Sequence, residues 1–362
     1  MKKHSHQDIL NWYLTFEEML AANPQLAPIY EHIRSTAEDK ESVVKMHKLH
    51  FNLRLNLFFH QHITKNLLIC INAYQNKVLG VPFVKEGDPS QLADRLPPLM
   101  ENGYTYLPTL DAVKVKEMYD YLEAQPVHAD PKKRTEDNLV HRDTIRENHH
   151  VGILSERTVT NCPHFLDIVL SPDVLQLVEK MIGATPTLIS LDSWWSFANR
   201  EAPTEAQLYH MDIDDHRFVK LFIYLTDVDM DSGPHAYVPG THMRRHIIDI
   251  LESKVEEYPE IINWYVTQLR KTDEEVDKYI GIPCDYIEGQ AGSCFLVDTS
   301  GIHKGQLPKS KDRLLMQATF GCTPTKTTFL DPMPIGTDAT CNISLETLTP
   351  PNDYIARLFV AS

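Results

Sequence analysis

The sequence predicts a mostly β protein with flanking helices, centred on a β-sandwich, and three observations lead there. Apolar, β-branched and aromatic residues run from Phe218 through Tyr224 and Leu225, and again from Leu314 to Phe320, at strand length. The segment Gly233-Pro234-His235-Ala236-Tyr237-Val238-Pro239-Gly240-Thr241-His242 brackets a short apolar run with turn residues. Helical spacing, in contrast, is confined to the flanks and to one insert.

Taken in order, residues 1 to 90 show helical periodicity in Ile9, Leu10, Tyr13, Leu14 and Phe16, then Val43 to Met46, then Leu53, Leu55, Phe58 and Phe59, and last Ile63, Leu67, Leu68 and Ile71. Two or three helices are expected there, as a cap on the rest or as the contact of a homo-oligomer. Gly80 to Pro98 is richer in Gly, Pro and Asp and reads as a linker into a domain spanning about residues 91 to 330. That domain opens with a helix over Val113 to Ala124, a polar loop over Pro126 to His150 and a helix over Pro172 to Ile182. Strands begin near Thr187 and continue to Gly321. About residues 243 to 282 form an insert, where Glu257, Ile261, Ile262, Tyr265, Val266 and Leu269 recur at helical spacing, either as a lid over the substrate or as a helix packed outside the sandwich. Residues 331 to 362 form a C-terminal extension.

Composition narrows the function. With 362 residues, 42% of them hydrophobic, the chain can bury one large core and a smaller appendage. A formal net charge of -15 argues against a nucleic acid or an anionic membrane as partner, because both require a basic face. The six cysteines include no C-x-x-C pair and are expected to be reduced thiols, in keeping with a cytoplasmic protein. Asp8, Glu17 and Glu18 interrupt what would have to be the apolar core of a signal peptide.

The chemistry concentrates in His210-Met211-Asp212, His303 and Arg313. On an extended segment, side chains two residues apart point the same way, so His210 and Asp212 can reach one metal while Met211 points elsewhere. Two imidazoles and one carboxylate occupy one face of an octahedral Fe(II) and leave three positions open. His303 would supply the second imidazole from a distant strand. Ten residues on, Arg313 opens a strand whose inward positions run through Arg313, Leu315 and Gln317, and its forked guanidinium suits the far carboxylate of a 2-oxo acid. Three other H-x-D triplets, beginning at His6, His128 and His141, lack a long β-run behind them, so context selects His210.

In this order, the helix Ser171 to Gly183, His210 and Asp212, Leu225-Thr226-Asp227-Val228, Val238-Pro239-Gly240-Thr241-His242, His303 and Arg313 resemble the phytanoyl-CoA dioxygenase family, over about Leu96 to Pro324. The resemblance implies a double-stranded β-helix (jelly roll) core over about residues 187 to 321. It also implies Fe(II) held by His210, Asp212 and His303, 2-oxoglutarate anchored by Arg313, and O2 as the oxidant. Halogenases related to this family lack the carboxylate ligand, so Asp212 favours hydroxylation, here of a small and polar metabolite. A cupin-like metal protein that isomerises or binds without 2-oxoglutarate is the rival, and Arg313 speaks against it.

Further positions invite a role. Lys220 shares a strand face with Phe222 and Tyr224 and, if inward, could meet either the co-substrate or an acidic substrate. Trp194 and Trp195 stand on opposite faces, and Trp195, Asn199 and His216 are candidates for lining the substrate pocket. His242 and His246 have the i, i+4 spacing of zinc ligands but no evident third ligand.

Overall fold

The structure, a computed structural model, describes Leu68, Asn72, Gln75 and residues 80–135, 137–198, 201–215, 217–322 and 348–359. Helices expected over residues 1 to 90, and the oligomer contact assigned to them, lie almost wholly outside the described residues. The strands are β1 (Tyr104–Tyr106), β2 (Val127–His128), β3 (Leu139–Val140), β4 (Val151–Ile153), β5 (Thr187–Ser196), β6 (Phe218–Tyr224), β7 (His235–Tyr237), β8 (Asp285–Ile287), β9 (Cys294–Val297), β10 (His303–Gly305) and β11 (Arg313–Gly321).

Six of them form one sheet in the order β1-β9-β6-β11-β5-β4, and three form a second in the order β10-β7-β8, with every pair antiparallel. Residues from both sheets meet in one apolar cluster: Phe222, Tyr224, Phe295, Val297 and Leu315 from the larger, Tyr237 and Ile287 from the smaller. Two sheets face to face, with strands that interleave in sequence, are consistent with a jelly roll.

Strand alternation gives the larger sheet two unlike faces. Leu314, Met316, Ala318 and Phe320 of β11, with Leu221 and Ile223 of β6 and Leu296 of β9, belong to the main core. Helices Pro89–Asn102, Ala112–Glu123 and Pro172–Ile182 cover that face through Leu99, Met118, Leu122, Leu175, Val178 and Met181. Each such side chain contributes about 1.5 to 3 kcal/mol by leaving water. The helix Pro172–Ile182 starts with Pro172 in its first turn and stops at Gly183, where φ is +86. A left-handed residue there is strained for any side chain and costs glycine nothing.

Several expectations need correction. β1 and β4 belong to the larger sheet although both precede residue 187; at three residues each they are too short to announce themselves by alternation. The polar stretch 126 to 150 holds the β2–β3 pair and a short helix at Arg142–Ile145. Residues 243 to 282 hold three helices, Arg244–Lys254, Ile261–Thr267 and Asp273–Tyr279. They bury Ile247, Leu251, Trp264 and Val276 against Tyr209, Val238 and Ile302. Those three alternate with the site-facing His210, Tyr237 and His303, so these helices back the smaller sheet from outside. At the other end of the chain, Tyr354, Ile355 and Phe359 join the main core, and Arg357 donates to Thr187 Oγ1 at 2.9 Å.

Candidate active site

His210 and His303 come together through their own backbones. Each amide donates to the other's carbonyl at 2.9 Å, so the segment bearing His210 pairs with the free edge of β10. Directly opposed residues on antiparallel chains project to the same side, and the two rings lie 4.3 Å apart between centroids. Asp212, two residues along, is held by its amide's bond to the Thr299 carbonyl at 2.8 Å. Its Oδ1 lies 3.6 Å from His210 Nε2 and its Oδ2 lies 3.4 Å from His303 Nε2. Donor atoms of the three residues all fall within 4.8 Å of one another.

The outer nitrogens of the histidines are also fixed. His210 Nδ1 donates to the Leu208 carbonyl at 2.9 Å and His303 Nδ1 to the Gly301 carbonyl at 3.0 Å. Each bond leaves Nε2 as the bare nitrogen facing Asp212, which is how an imidazole is prepared for a metal. Burial, then the neighbouring His303, lowers the His210 pKa to about 3. Burial alone would raise the Asp212 pKa, but Lys220 and His303 outweigh it and hold the carboxyl well below its usual range. Imidazoles with a bare Nε2 and an ionised carboxylate suit a divalent iron.

Lys220 is inward and buried, and its Nζ lies 2.7 Å from Asp212 Oδ2 and 2.7 Å from Asp214 Oδ2. Lys220 lies opposite Thr319, six residues along β11 from Arg313, or roughly 20 Å between backbones. Lys220, expected to meet the co-substrate or an acidic substrate, has Asp212 and Asp214 as its partners among the described residues.

Arg313 lies at the other end of this face. It is 4% exposed; Nη2 donates to Ser196 Oγ at 3.2 Å, while Nε and Nη1 have no hydrogen-bond partner among the described residues. Asp312 fixes the entry to its strand by accepting two bonds from Arg146, both 2.9 Å, and one from the Ala198 amide at 2.8 Å. A buried guanidinium with open donors suits a carboxylate.

Of the three substrate candidates, Trp195 is misassigned. It lies on the outer face, edge-on to Tyr119 at 6.2 Å with the Arg142 guanidinium 4.1 Å above its ring. Trp194 pairs with Leu315 and packs on the inner cluster instead. Asn199 and His216 lie outside the described residues. His242 points to the Met100 carbonyl at 3.1 Å, and His210, Asp212 and His303 are the metal-capable group among the described residues. His235, a third imidazole, is stacked on His303 at 5.3 Å and 14°, and no single-residue pattern singles it out. Its signal was its alternation with Tyr237 in the Gly-Pro segment. Burial, then His303 and Arg313, holds the His235 pKa well below the usual histidine range.

The model of the phytanoyl-CoA dioxygenase family matches residues 99–313, more than half of the chain. The chain belongs to that family, and so to the enzymes that use iron and 2-oxoglutarate. Among solved structures, the 2-oxoglutarate-dependent epimerase SnoN of nogalamycin biosynthesis is 18% identical, with 70% of this chain and 93% of that one covered at a TM-score of 0.44. EctD from S. alaskensis, determined with 2-oxoglutarate and 5-hydroxyectoine, is 14% identical over 66% of this chain and 80% of its own, at 0.43. HygX from Streptomyces hygroscopicus, with nickel and 2-oxoglutarate, is 16% identical over 64% and 88%, at 0.41. No curated protein matches the chain. No helix among the described residues is long and apolar enough to cross a membrane.

Proposed function

We propose that the protein is an iron(II)- and 2-oxoglutarate-dependent hydroxylase of a small polar metabolite. The observation that carries this reading is the His210, Asp212 and His303 cluster, with donors within 4.8 Å, together with a buried Arg313 on the larger sheet whose Nε and Nη1 are unpaired among the described residues. His210 and His303 present bare Nε2 atoms to the metal, and Asp212 supplies the carboxylate. Lys220 holds the Asp212 carboxylate in place, and Asp214 shares its charge. Arg313 binds the far carboxylate of 2-oxoglutarate. When bound, iron with 2-oxoglutarate and O2 inserts one oxygen atom into a substrate C–H bond while the oxo acid becomes succinate and CO2.

The polar character assigned to the substrate rests on the inner residues nearer Lys220. Asp192 faces Gln317 and Ser190 faces Thr319 across β5 and β11, which gives hydroxyl, amide and carboxylate groups to hydroxyls or amines of a ligand. Phe222 and Phe295, stacked at 5.3 Å, supply the apolar wall.

The test is 2-oxoglutarate binding to the anaerobic Fe(II)-loaded protein, followed by the weak visible band of the chelate, in wild type and in Asp212→Ala. A band in the wild type alone is expected; its absence there would leave the cupin-like alternative. Candidate metabolites are then turned over under heavy-oxygen-labelled O2, and a product without the label would overturn hydroxylation while leaving the co-substrate assignment intact.

A further inference from the structure

His235 is 7% exposed, and its Nε2 has no hydrogen-bond partner among the described residues. A buried polar nitrogen left unpaired is costly enough that native proteins seldom tolerate one without a purpose. The surroundings explain why the protein itself offers it nothing. Phe222 lies 5.0 Å from the ring and Phe295 5.9 Å, while His303 stacks parallel to it. Tyr224 Oη is already committed, accepting from the His235 amide at 3.0 Å and donating to the Ile287 carbonyl at 2.8 Å.

Arg313, on β11 of the larger sheet, also has donors unpaired among the described residues. His235 is the cross-strand partner of Gly305, and a Cβ on Gly305 would lie 3.5 Å from Arg313 Nη2. The bare backbone at 305 thus leaves one shared space for the guanidinium and the imidazole. The ring therefore stands between His303 on the metal side and Arg313 on the anchor side. Arg313 Nε, Arg313 Nη1 and His235 Nε2 are three buried nitrogens with the same deficit among the described residues.

We propose that His235 is a second anchor for 2-oxoglutarate, its Nε2–H donating to the distal carboxylate that Arg313 binds. This rests on the co-substrate reading above and assigns a further binding residue to it. A neutral imidazole that carries its proton on Nε2 adds a directional donor without adding charge beside a metal site. The consequence is discrimination: the pocket selects oxo acids with a second carboxylate, because only these satisfy the imidazole as well as the guanidinium.

The experiment is an anaerobic titration of the Fe(II) protein with 2-oxoglutarate and, separately, with 2-oxobutyrate, which chelates alike but lacks the distal carboxylate. Both are followed by the visible chelate band, without turnover. For His235→Leu, the Kd for 2-oxoglutarate is expected to rise roughly ten- to hundredfold while that for 2-oxobutyrate stays within about twofold of wild type. His235→Gln, whose amide keeps a donor, is expected to recover most of the loss. An equal loss for both oxo acids would make the ring a packing element, and no loss for either would make Nε2 irrelevant; each result overturns the proposal. Should His235→Leu fail to fold, His235→Met provides the same contrast. A wild type that shows no band with 2-oxoglutarate would instead sink the functional reading on which the proposal stands.

Discussion

The two faces of the larger sheet are made by the same strands, and nearly everything about the protein follows from their difference. Outward, β11 presents Leu314, Met316, Ala318 and Phe320 to the helices. Inward, the residues between them are Arg313, Leu315, Gln317 and Thr319, and β6 adds Lys220 beside Phe222 and Tyr224. The outer face satisfies itself by burial. The inner face is buried as deeply and leaves guanidinium nitrogens of Arg313 unpaired among the described residues, opposite the smaller sheet's His235, whose Nε2 is unpaired there too. Stability resides on one side and unsatisfied chemistry on the other, so substitutions one residue apart should act on different quantities.

The sharpest break is His210→Ala. Turnover is expected to fall by more than about a thousandfold, because one of three protein ligands is gone. Melting of the metal-free protein should move by only a few degrees, since few apolar contacts are lost. Activity assays beside thermal melts of the metal-free variants check both halves, and full turnover would remove His210 from the metal.

Phe320→Ala is the complementary cut. Phe320 is wholly buried on the outer face, and its loss should cost about 3 to 5 kcal/mol in a denaturant titration. Iron and 2-oxoglutarate binding by the remaining folded fraction should be unchanged.

Arg313→Lys keeps the charge and discards the fork. Its Kd for 2-oxoglutarate is expected to rise roughly ten- to hundredfold, with Fe(II) affinity unaltered, as read by the same chelate band. An unchanged Kd would place the co-substrate anchor elsewhere.

Acid should expose the same contrast more gently. An unfolded histidine binds its proton near pH 6.5, whereas His210 in the folded protein does so only near about 3. Between those values the unfolded state holds more protons, so the stability of the metal-free protein is present above pH 6.5 and declines as pH falls toward 3. Melting of the metal-free protein from pH 8 to pH 4 measures this, and His210→Ala should flatten the decline.

How much of this was legible in advance depended on distance along the chain. His210 and Asp212 were readable because an extended segment fixes which side chains agree, and the later His303 and Arg313 because their chemistry has few other uses. The faces of Trp194 and Trp195 were not, since alternation leaves two phases and a shift of one residue exchanges them. Pairing of Trp194 with Leu315, on the same face as Arg313, chose the phase. Lys220 is inward, and its partners, Asp212 and Asp214, arrive from a loop whose path no periodicity describes.

By itself, the sequence determined the strands with long alternating runs, the ligand types, and the arginine that suits a dicarboxylic co-substrate. These are local properties, set by side-chain chemistry and by the two-residue repeat of an extended chain. Only the tertiary structure decided that the three helices of residues 243 to 282 back the smaller sheet, that Trp195 faces outward, and that His235 stacks on His303 with a nitrogen unpaired among the described residues. Each of these depends on which strand edge or helix meets which face. Such pairings join residues far apart in the chain, and local spacing carries no record of them.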